Sequence, residues 1–86
     1  MAAIDDYLDE NKARFESELI ELLKIPSVSA DSRRKEDMLK AANWIKAQFE
    51  DLGLTTEIIP TKGAPFVYAE SPPVAGAPTV LVYGHY

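Results

Sequence analysis

Up to Leu52 the apolar side chains recur every three or four positions; beyond Gly53 that period is lost. A helix returns to the same face every 3.6 residues, whereas side chains along a strand alternate between faces. The change divides the chain into a helical first part and an extended second part. Ile4, Tyr7, Leu8, Phe15, Leu19, Leu22 and Leu23, with acids and lysines between them, predict an amphipathic helix over about residues 3–24. Pro26 ends it, because the ring disfavours helical angles at Ile25. Ser32 or Asp31 then serves as N-cap of a second helix with the apolar face Met38, Leu39, Ala42, Ile45, Phe49 and Leu52. Trp44 flanks that face, and Gly53 suits the C-terminal cap.

Three segments of the second part read as strands. Leu54–Ile59 is rich in β-branched residues and stops at Pro60; Pro65–Glu70 follows the Gly63 turn. Ser71–Pro78, with three prolines and a glycine, is a loop. Thr79–Tyr83 is apolar without interruption, the pattern of a strand covered on both faces. The expected fold is α/β: two N-terminal helices followed by three strands. A strand covered on both faces needs more sheet and more helix than this chain supplies. Residues 1–86 are therefore expected to be an incomplete portion of a larger helix-flanked mixed sheet.

At 86 residues the chain can form at most one small domain, and 47% hydrophobic with 27% charged residues is an ordinary globular balance. Fourteen acidic residues against nine basic ones oppose binding to nucleic acid. The densest basic cluster, Arg33-Arg34-Lys35, runs straight into Glu36 and Asp37. The absence of cysteine excludes disulfides and thiolate zinc sites. No stretch approaches the ~20 apolar residues of a membrane span, and the N-terminus lacks the pattern of a signal peptide. A soluble, cytoplasmic protein is expected, with neither nucleic acid nor membrane as partner.

The single histidine, His85, lies in Gly84-His85-Tyr86 directly after the apolar run. Beyond the carboxyl end of a strand in an open α/β sheet, a side chain faces a crevice, and a neutral imidazole is a common zinc ligand. One histidine is still not a site, since zinc takes about four donors; taken alone, such a residue is more often structural or exposed. Ser27, Ser29 and Ser32 lack a Gly-x-Ser-x-Gly setting and read as loop-capping groups. Glu18, Glu21, Asp5, Asp6 and Asp9 sit among lysines on open helix faces, with nothing to shift them toward acid–base work. Tyr68, Tyr83 and Tyr86 are expected to pack rather than to donate protons.

Four pieces together resemble the M20 family of metallopeptidases. Leu22-Leu23-Lys24-Ile25-Pro26-Ser27-Val28-Ser29 is similar to the stretch that ends the family's first helix. The segment from Ala42 through Leu54 looks like its second helix running into its first strand. Pro65–Glu70 is similar to a strand of the dipeptidase branch, and Thr79–Tyr86 resembles the strand leading into the family's His-x-Asp metal motif. The resemblance implies a zinc-peptidase catalytic domain, usually with an inserted dimerisation domain, and a homodimeric parent. It also implies two zinc ions held by His, Asp and Glu, a bridging water that attacks the peptide carbonyl, and a glutamate general base. By position, only His85 carries over, as the motif's first metal ligand; the aspartate would lie beyond Tyr86. The implied reading is an N-terminal portion of a dipeptidase acting on dipeptides or short peptides. It would be inactive alone, and its partner would be the remainder of the catalytic domain or a complementing chain.

Two alternatives stay open. One is a non-enzymatic module that folds by pairing its strand edges with another copy. The other is a different M20 amidohydrolase: a carboxypeptidase, aminoacylase or desuccinylase.

Overall fold

A computed structural model describes residues 2–86. Helices α1 (Ala2–Glu10) and α2 (Lys12–Leu23) replace the single expected helix, and the break is at Asn11. Its backbone sits at φ −105°, ψ 6°, and its side-chain Nδ2 donates to the Tyr7 carbonyl at 2.9 Å. A short amide side chain competes for backbone acceptors in this way and weakens a helix interior. The backbone bonds Asn11 N–H to Tyr7 O and Phe15 N–H to Asn11 O keep the helical spacing on either side. Tyr7 and Phe15 meet across the break with ring centroids 5.9 Å apart, and the Arg14 guanidinium lies 5.1 Å from the Phe15 centroid.

The chain leaves α2 ahead of Pro26, as expected, and re-enters helix through a single 3-10 turn at Ser32–Arg34. Of the two expected caps Asp31 acts, but on the 3-10 turn, where its carboxylate accepts from the Arg33 N–H at 3.0 Å; the next helix itself is entered from Arg34 with no side-chain cap. Helix α3 (Lys35–Asp51) follows and ends in a Schellman motif: Leu54 N–H bonds to Phe49 O and Gly53 N–H to Glu50 O. Gly53 supplies the positive φ, 82°, that this exit requires.

Strands β1 (Thr55–Ile59) and β2 (Phe66–Glu70) form an antiparallel pair, with Thr55 opposite Glu70 and Ile59 opposite Phe66. Thr61 organises the connection: its hydroxyl donates to Ala64 O and accepts from Gly63 N–H. Burial alternates along both strands, so Thr56, Ile58, Val67 and Ala69 form the covered face and α3 packs over it. Among the described residues Met38, Ala41 and Ala42 are the buried ones, with Ile45 and Phe49 of the same helix half-buried. The inward stripe of α3 is thus turned relative to the expected one. Ala41 is inside, while Leu39 and Leu52 are exposed.

The fold is α/β, but the expected third strand does not form. Thr79–Tyr83 has no regular secondary structure, and Val80, Leu81, Val82 and Tyr83 are 80–88% exposed. A strand is held by backbone bonds to a neighbour. Among the described residues β1 and β2 bond only each other, and each keeps one unpaired edge. Apolarity alone cannot make the ladder.

The chain is consequently spread out. Its radius of gyration is 15.4 Å and it extends over 45 × 33 × 18 Å, where a compact domain of this length has a radius of about 12 Å. Its accessible surface is 7379 Å², against about 5,000 Å² for a compact protein of 9.5 kDa. No helix among the described residues is long and apolar enough to cross a membrane.

Candidate functional site

The segment after Pro78 is tied back by a side-chain hydrogen bond. The Tyr86 hydroxyl donates to the Pro65 carbonyl, which ties the chain terminus to the start of β2. Partial burial there pushes the Tyr86 hydroxyl above its usual titration range. Between this tether and the body of the molecule lies a groove of about 800 Å³. It is lined by Met38, Ile45 and Phe49 of α3, by β2 with its flanking residues, and by residues 80–86, with Ser29 and Leu54. His85 is among the lining residues and is exposed to solvent, where an imidazole can meet a ligand.

The donor set for a metal does not extend beyond it. Among the described residues no group of three His, Asp or Glu side chains comes together. His85 alone falls short of the three protein donors that zinc keeps even in catalytic sites. The residues present therefore do not make a zinc site by themselves.

The other sequence candidates are accounted for locally. Arg33 grips the Asp31 carboxylate twice, at 3.0 and 2.9 Å, and Arg34 pairs with Asp37 at 3.4 Å, so the basic triplet is largely neutralised by its neighbours. The Arg33 guanidinium, with its backbone N–H, holds the Asp31 carboxyl below the usual carboxylate range. Glu18 pairs with Arg14 at 3.8 Å on an open helix face. None of the serines caps the entry into α3: Asp31 caps the 3-10 turn before it, and α3 itself starts from Arg34 with no side-chain cap. Tyr68 and Tyr83, expected to pack, are 47% and 81% exposed. Tyr68 instead donates to Glu70 at 3.0 Å, which raises its ionisation above the ordinary tyrosine value. Only Tyr86 of the three is partly covered. The groove itself is not evident from the sequence, although its three contributors are the apolar stripe of α3, the second strand segment and the terminal run.

Comparison with known proteins gives one informative likeness. Over 80 residues, 92% of its length, the chain is 35% identical to a cysteinylglycine-S-conjugate dipeptidase of Corynebacterium striatum. It spans 18% of the length of that relative. No protein-family model matches the chain, and no solved structure does.

Proposed function

We propose that these 86 residues are the N-terminal part of the catalytic domain of a zinc-dependent dipeptidase of the M20 type. The observation that carries this reading is the 35% identity to a dipeptidase over nearly the whole chain. The resemblance of the terminal run to the strand before a His-x-Asp motif adds to it, as does the large apolar surface left open. In this reading the reaction is hydrolysis of dipeptides or short peptides, and His85 is the first histidine ligand of a two-zinc centre. The other donors and the general base belong to the rest of the catalytic domain, which is the partner this chain requires, and the parent enzyme is a homodimer. The part of the chemistry assigned to these residues is placement: the Tyr86 tether, one residue on, keeps the exposed His85 beside an apolar groove. A dipeptidase relative favours this branch over the carboxypeptidases, aminoacylases and desuccinylases.

A chimera tests it. The chain replaces the corresponding segment of the Corynebacterium striatum enzyme, and zinc content and hydrolysis of a cysteinylglycine S-conjugate are measured. The expected result is a folded, zinc-loaded, active chimera whose His85→Ala variant loses activity by at least about a hundredfold and binds less zinc. A folded chimera with no activity, or one indifferent to His85→Ala, would overturn the reading.

A further inference from the structure

We draw no further inference here: the strongest candidate, the apolar face that Ile4, Leu8, Leu19 and Leu23 leave exposed along α1 and α2, carries nothing because no feature of the structure shows what covers it.

Discussion

The N-terminal helices and the unit formed by α3 with the hairpin are about equally rich in apolar residues, yet only one has a core. Among the described residues the buried side chains, Met38, Ala41 and Ala42, all belong to α3, whereas α1 and α2 bury none. Ile4, Leu8, Leu19 and Ile20 remain about half exposed. The difference is in the partner, not in the stripe. Helix α3 lies across the inner face of a two-stranded sheet, where side chains of two elements close over it. Helices α1 and α2, of nine and twelve residues, have mainly each other, and helices this short are marginal in water without a packing surface. An amphipathic pattern says which face wants cover. It does not supply the cover.

The sharpest way to break this comparison is to place the same carboxylate on both sides of it. Ala42→Asp puts an unpaired charge into the packed face of α3 and should cost about 3–5 kcal/mol, enough to unfold the hairpin unit. Leu19→Asp, at a site 56% exposed, should change stability by no more than about 0.5 kcal/mol. Urea titration followed by the fluorescence of Trp44, the single tryptophan, reads the unit that holds the core. Equal losses from the two substitutions would mean that α1 and α2 are as tightly packed as α3.

A smaller effect is expected where the two halves of the core unit join. Gly53→Ala forces a side chain into the left-handed region and should cost about 1 kcal/mol by the same titration. Nothing lies within 4 Å of the added methyl group, so the loss is one of backbone strain and not of collision.

The smallest effect belongs to the entry into α3. The Asp31 carboxyl titrates below its unfolded value because Arg33 bonds to the charged form. Its contribution is therefore present above the unfolded value, about 3.9, and is lost as pH falls through the lower folded value. Asp31→Asn should lower stability at neutral pH, with the difference from the parent chain shrinking in acid. Paired urea titrations at neutral and acidic pH check it, and a difference that grows in acid would contradict the sign.

Much of the local architecture was legible in the residues. Pro26 ended a helix, Asp31, one of two anticipated caps, capped the 3-10 turn ahead of α3, and Gly53 closed α3 through its positive φ. The first two expected strand segments became the two strands of one hairpin. Asn11 was not read as a break, because an asparagine within a helical pattern looks like one more polar surface residue until its amide takes the Tyr7 carbonyl. Nor was it legible that Ala41, and not Leu39, would face the sheet, since a small side chain is preferred wherever backbone approaches backbone. Of the site, His85 and its exposed position after the apolar run were read from the sequence. The groove beside it was not, since it requires three distant segments to meet.

What the sequence determined by itself is short-range: where each helix starts and stops, where the backbone turns, and which faces are apolar. Those features depend on a few neighbouring dihedrals and on the spacing of side chains. Tertiary structure alone decided which apolar faces were covered. The α3 stripe found a sheet, whereas the N-terminal helices and the 79–83 run did not, because burial and ladder bonds each require a second surface in the right place.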